Sequence, residues 1–105
     1  PVEVLSDMNM TDYTYDTVLA GMLQSSIDSS GFVWGDFDMK VASKTGTPQT
    51  STATVNSTFI CFAPAEDPEI AIAVVIEKGW QGYTAAPVAK EILSYYFNKD
   101  IPENQ

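Results

Sequence analysis

The most constraining stretch of this sequence is Ile70-Ala71-Ile72-Ala73-Val74-Val75-Ile76, apolar at every position and bounded by Glu69 and Glu77. It is short for a buried helix and rich in β-branched residues, so it reads as a strand from about Glu69 to Glu77. Alternation sends Ile70, Ile72, Val74 and Ile76 to one side and Ala71, Ala73 and Val75 to the other. Both sides are apolar and both want cover, which is the signature of a strand inside a layered sheet.

The neighbouring segments supply part of that cover. Thr58 to Ala63 reads as another strand, and the turn Pro64-Ala65-Glu66-Asp67-Pro68 joins the two as an antiparallel hairpin. A further strand is predicted from about Met39 to Thr47, with a Thr- and Ser-rich loop over Pro48 to Asn56. Upstream, Thr11 or Asp12 can cap a helix running to about Ser26, with Tyr15, Val18, Leu19, Met22 and Leu23 as its apolar stripe. Gly21 inside that helix carries a propensity penalty of about 1 kcal/mol, which suggests close packing there. Ser29-Ser30-Gly31 ends the helix, and Phe32 to Asp38 is an aromatic and acidic connection. After the glycine-containing loop Gly79 to Tyr83, Thr84 is expected to cap a last helix with Pro87 in its first turn. Val88, Ile92, Tyr95 and Tyr96 are its expected buried stripe, and Asn98 to Gln105 is a polar tail. The predicted class is α+β: helix, three-stranded antiparallel sheet, C-terminal helix. Two helices are expected to cover only one face of such a sheet, which leaves the other face in need of a partner.

Bulk properties exclude several functions. The chain has 105 residues and a net charge of −9, with five Lys, no Arg and no His. A chain of this size buries roughly two thirds of its unfolded surface, so its core is modest. Its charge repels nucleic acid and anionic lipid, and nucleic-acid binding is set aside. Without His, the commonest general base and metal ligand is missing. Asp36 with Asp38, and Glu66, Asp67 and Glu69, read as solvated loop acids with no metal-ligand spacing. No metal and no cofactor is expected. The single cysteine, Cys61, lies in Phe59-Ile60-Cys61-Phe62 and reads as a buried small hydrophobe. Trp34, Trp80 and Tyr83 could line a ligand groove, but core or rim packing is the expectation for all three, with Trp80 and Tyr83 placed in a loop.

The motif that carries chemistry is Lys44-Thr45-Gly46-Thr47. On a strand, Lys44 and Gly46 share one side and the two threonine hydroxyls the other. A lysine, two hydroxyls and a glycine that admits close backbone approach suit an anionic, peptide-like ligand. A phosphate loop is excluded, because Ser43 precedes the lysine and no glycine lies at the required offset.

Val41-Ala42-Ser43-Lys44-Thr45-Gly46-Thr47-Pro48-Gln49 closely resembles the third motif of penicillin-binding proteins, where K-T-G is a signature. Phe59-Ile60-Cys61-Phe62-Ala63-Pro64 resembles the family's next strand and turn, and Pro68 to Glu77 the strand after it. Gly79 to Leu93, with Ala85-Ala86-Pro87-Val88-Ala89, resembles the closing loop and last helix of class B transpeptidases. The resemblance runs from about Tyr13 to Phe97. Family members often carry Gly at the positions of Ser43 and Cys61, so fine geometry there differs.

The resemblance implies a partial transpeptidase domain of the β-lactamase-like fold, with residues 1–105 as its C-terminal fragment. The family's acyl-transfer reaction uses a serine in S-x-x-K, faced by an S-x-N motif, and neither motif occurs in this sequence. Lys44 would then supply positive charge toward the S-x-N serine. Thr45 and Thr47 would hold a terminal carboxylate, Gly46 would let the substrate strand approach, and the Thr47 N–H would be one oxyanion-hole donor. Implied partners are the D-Ala-D-Ala stem peptide of peptidoglycan, β-lactam antibiotics and the remainder of the transpeptidase domain. The implied location is extracytoplasmic, on a parent anchored in the bacterial cytoplasmic membrane. The fragment by itself should be inert. Two alternatives are a β-lactamase or β-lactam sensor of the same fold, and a non-catalytic binding module.

Overall fold

The computed structural model describes residues 2–49, 54–80 and 82–97, apart from the side chains of Phe32 and Tyr83. The expected polar tail and the placement of Tyr83 beside a groove therefore lie outside the described residues. Helix α1 spans Asp12–Asp28 and a single turn, α2, spans Gly31–Trp34. Strands β1 (Ala42–Gly46), β2 (Ser57–Ala63) and β3 (Ile70–Ile76) follow. A 3₁₀ turn at Gly82–Ala85 leads into α3, Ala86–Tyr96. The α+β class and the order helix, sheet, helix are as expected. The addition is α2, which lies inside the segment read as a plain connection.

Thr11 starts α1 as its side chain accepts a hydrogen bond from the Thr14 N–H at 3.2 Å. The sheet is antiparallel throughout in the order β1-β2-β3, with Lys44 opposite Ile60 and Ile60 opposite Ala73. This register puts Ser57, Phe59, Cys61 and Ala63 on one face, beside Ile70, Ile72, Val74 and Ile76. That face carries the core, where Phe59, Cys61 and Ala63 pack with Trp34, Ala85, Ala86, Ala89 and Leu93. Trp34 stacks on Phe59 at 6.2 Å and donates its indole N–H to Ser30 Oγ at 3.0 Å. One turn of helix is thereby pinned under the central strand. The core placement of Trp34 and the burial of Cys61 agree with the sequence, and burial pushes the Cys61 thiol up to about 11.

Four expectations about the helices are corrected. The buried residues of α3 are Ala86, Ala89, Leu93 and Ser94, while Val88, Ile92, Tyr95 and Tyr96 are exposed. Alanines spaced along α3 bring its backbone close to the sheet, and the bulkier stripe is turned outward. Thr84 does not cap α3: its hydroxyl donates to the Gly79 carbonyl at 2.8 Å, and Ala85 takes the cap position without a side-chain bond. A Cβ on Gly21 would meet nothing within 4 Å, so no close packing explains that glycine here. The Tyr15 and Val18 part of the α1 stripe is also exposed.

The opposite sheet face is open. Ile60 is 50% exposed and Val75 63%, with Ala71 and Ala73 exposed beside them. This is the uncovered side that an apolar β3 implied. Gly79 closes the turn after β3, where a Cβ would lie 2.7 Å from Ser57 Cβ and 2.9 Å from the Ile76 carbonyl, so no larger residue fits.

Candidate functional site

The geometry of Lys44 to Thr47 follows from which way the backbone of β1 points. The Lys40 carbonyl accepts from the Ala65 N–H at 2.9 Å, and the Pro48 carbonyl accepts from the Asn56 N–H at 2.9 Å. Both partners lie on the β2 side. Backbone groups alternate in direction along a strand, so residues 42, 44 and 46 also face β2. The register of β1 on β2 continues past the strand to Gln49 opposite Val55. Val41, Ser43, Thr45 and Thr47 therefore direct their N–H and C=O groups to the outer edge of the sheet.

The Val41 and Thr45 carbonyls on that edge accept from side chains. Val41 O accepts from Ser26 Oγ of α1 at 2.6 Å. Thr45 O accepts from Lys44 Nζ at 2.7 Å. Lys44 is exposed and shares the open sheet face with Ile60. Thr45 and Gly46 are half-buried, and Thr47 is exposed. The four motif residues thus form a short accessible wall: an ammonium on the open face, with two threonines whose backbone groups line the edge. Such a wall offers an extended peptide both main-chain pairing and a positive charge.

Gly46 has a nearer reason to be glycine than the approach of a ligand. A Cβ there would collide with Thr58 Oγ1, its cross-strand partner. The Gly79 to Trp80 segment lies at the same end of the sheet, as Gly79 packs on Ser57 at the start of β2. Trp80 is exposed, with φ of 78°. Asp36 forms an exposed ion pair with Lys90 at 2.7 Å, and this hydrogen bond and charge hold its carboxyl below the usual range. No group of His, Cys, Asp and Glu fit to hold a metal ion occurs among the described residues.

Sequence reasoning missed the hydroxyl pair behind the motif. Ser26 Oγ also lies 2.5 Å from Ser43 Oγ, and both side chains are buried. Ser26 was legible only as the end of a helix. Ser43 was noticeable as the residue where the resembled family often has glycine, but its partner lies 17 positions away.

An α+β unit with an open sheet face and a Lys-Thr-Gly-Thr strand at its outer edge is the kind of part from which acyl-transfer enzymes of the penicillin-binding type are built. The family described as the penicillin binding protein transpeptidase domain matches residues 2–94. This chain belongs to that family. It is 31% identical over 113 aligned positions to penicillin-binding protein 2A of Bacillus subtilis, covering 90% of this chain and 16% of the relative. A 38-residue stretch is 53% identical to the peptidoglycan D,D-transpeptidase MrdA of Acinetobacter baumannii, covering 36% of this chain and 6% of that protein. The fold superimposes on Pseudomonas aeruginosa PBP2, in complex with WCK 5153, with a TM-score of 0.80 and 31% identity, over 99% of this chain and 24% of that one. It also resembles penicillin-binding protein A of M. tuberculosis in its penicillin G acyl-enzyme complex, with a TM-score of 0.65 and 26% identity, over 78% of this chain and 20% of the other. The chain thus spans less than a quarter of the length of each of these proteins.

Proposed function

We propose that this chain is the third-motif portion of a class B D,D-transpeptidase, the C-terminal part of a domain whose nucleophilic serine and S-x-N motif lie elsewhere in a longer protein. The observation that carries the reading is the direction of the Thr45 and Thr47 backbone, outward from the sheet beside the exposed Lys44. In this reading a D-Ala-D-Ala stem peptide lies along the outer edge of β1 as an added strand. Thr45 and Thr47 hold its terminal carboxylate through their hydroxyls. The Thr47 N–H donates to the developing oxyanion, and the second donor comes from the nucleophile's own backbone. Removing one such donor typically slows acyl transfer about a hundred- to a thousandfold. Lys44 leaves its contact with the Thr45 carbonyl and offers its charge to the S-x-N serine. β-Lactams occupy the same wall and acylate the same serine.

A wall with one oxyanion donor and no nucleophile does not catalyse, so the chain alone is inert. The open face around Ile60, Ala73 and Val75 supports a second element of the proposal, that the rest of the domain covers it. No described helix is long and apolar enough to cross a membrane. The parent is proposed to act outside the cytoplasmic membrane and to carry its anchor in another segment.

The test is to label membranes of the source cells with a fluorescent penicillin and identify labelled bands by peptide mass. Peptides of this chain are expected in a labelled band much larger than 11.4 kDa. The same peptides in unlabelled material only would refute the assignment. In the full-length protein, Lys44→Ala should slow labelling by about a hundredfold while leaving the fold intact, since Lys44 is exposed.

A further inference from the structure

Helix α1 touches the motif strand through a contact that the proposed reaction does not itself use. Ser26 is the one buried side chain of α1 among the described residues, and its hydroxyl reaches the outer edge of β1 at Val41. A hydroxyl has one hydrogen to give. Of its two carbonyl neighbours, Met22 at 3.4 Å and Val41 at 2.6 Å, Ser26 gives it to the nearer, so in the 2.5 Å contact with Ser43 the hydrogen comes from Ser43. The chain of bonds runs Ser43 Oγ to Ser26 Oγ to Val41 O, closed and buried. Removing the Ser26 hydroxyl strands both the Ser43 hydrogen and the Val41 carbonyl, whereas removing that of Ser43 leaves the Ser26 bond to Val41 in place.

Its position matters more than its strength. Among the described residues β1 is an edge strand, held on one side by β2 and with no strand on the other. Ser26 grips that free side at Val41, and Ser43 is adjacent in sequence to Lys44. The ligand-facing stretch of the same edge begins two residues further on, at Thr45. A strand fixed at Val41 and Ser43 cannot slide or tilt without moving Lys44 and Thr47 with it.

We infer that Ser26 and Ser43 are positioning residues: their hydroxyl pair clamps α1 to the outer edge of β1 and so sets the place of Lys44 and of the Thr47 N–H. The inference rests on the transpeptidase reading above. Misplacement of reacting groups by a fraction of an ångström acts on the acylation step more than on prior binding, because the oxyanion forms only in the transition state.

The experiment uses the full-length protein and a fluorescent penicillin, resolving the acylation rate constant from the preceding dissociation constant, with the melting temperature measured alongside. Ser26→Ala, which loses both bonds, is expected to lower the acylation rate constant of folded protein about tenfold with little change in the dissociation constant, and Ser43→Ala, which keeps the Ser26 bond to Val41, by less. The double variant should be no slower than Ser26→Ala alone, since both bonds run through Ser26. Ser26→Thr, which keeps the hydroxyl, should restore most of the rate. Variants that melt earlier but acylate at the wild-type rate would overturn the inference and leave the pair a purely structural bond. Additive losses, or no rescue by threonine, would overturn it too. If wild-type protein takes no label at all, the transpeptidase reading itself fails and the inference falls with it.

Discussion

Replacing Gly46 by alanine tests the motif geometry at one atom. The added Cβ would overlap Thr58 Oγ1, while Thr58 Cβ, at 3.7 Å, would be in ordinary contact. Relief requires Thr58 to leave its rotamer, at about 0.5–1.5 kcal/mol, or the two strands to part. Overpacking of this kind costs about 1–3 kcal/mol. Against it stands a gain of about 0.5–1 kcal/mol from restricting the unfolded chain. Gly46→Ala should therefore destabilise the transpeptidase domain by about 1–2 kcal/mol. With Thr58→Ala the colliding oxygen is gone, and the same glycine change should become neutral or slightly stabilising. The coupling between the two sites is then about 2 kcal/mol, well above the scatter of independent sites. Urea unfolding of the four proteins of the cycle, followed by tryptophan fluorescence, measures it. Equal cost of Gly46→Ala in both backgrounds would refute the argument and return the glycine to a ligand-approach role alone.

Leu93→Ala should cost about 2–5 kcal/mol, because Leu93 is fully buried between α3 and the sheet; a loss below about 1 kcal/mol would mean that α3 is not seated as described. Cys61 should resist alkylation until the protein unfolds. Its raised folded pKa means that the unfolded chain loses the thiol proton first, so stability is full below the ordinary thiol pKa of 9.0 and falls as pH rises toward about 11. Cys61→Ala should flatten that alkaline limb in a pH series of urea melts. The lowered pKa of Asp36 gives the opposite sign: the contribution of its pair with Lys90 is present above pH 3.8 and is lost as pH falls through the depressed value. Asp36→Asn should remove that acid-side dependence and leave the melt at neutral pH nearly unchanged, as the pair is exposed.

Much of the architecture was legible because its signals are local. The alternation of β3, the turn prolines at 64 and 68 and the Thr11 cap depend on neighbours within a few residues, and each of the five predicted elements lies within a few positions of its span, while α2 was missed. The Lys44-to-Thr47 motif was legible for the same reason: strand alternation alone separates Lys44 and Gly46 from the two threonines. The reading of α3 failed because size was taken as the guide to burial. Ala86 and Ala89 are buried and Tyr95 is 79% exposed, a choice made by how closely the helix must approach β2 and β3.

The sequence by itself determined the main element types, the antiparallel hairpin, the acidic balance of charge and the Lys-Thr-Gly-Thr pattern on a strand, since these rest on composition, periodicity and turn chemistry. Only the tertiary structure decided which edge of β1 is open, which face of the sheet is bare and which atoms hold the motif in place. Those depend on register and on contacts such as Ser26 with Ser43, Gly46 with Thr58 and Trp34 with Phe59, where residues far apart in the chain meet and no local pattern announces the partner.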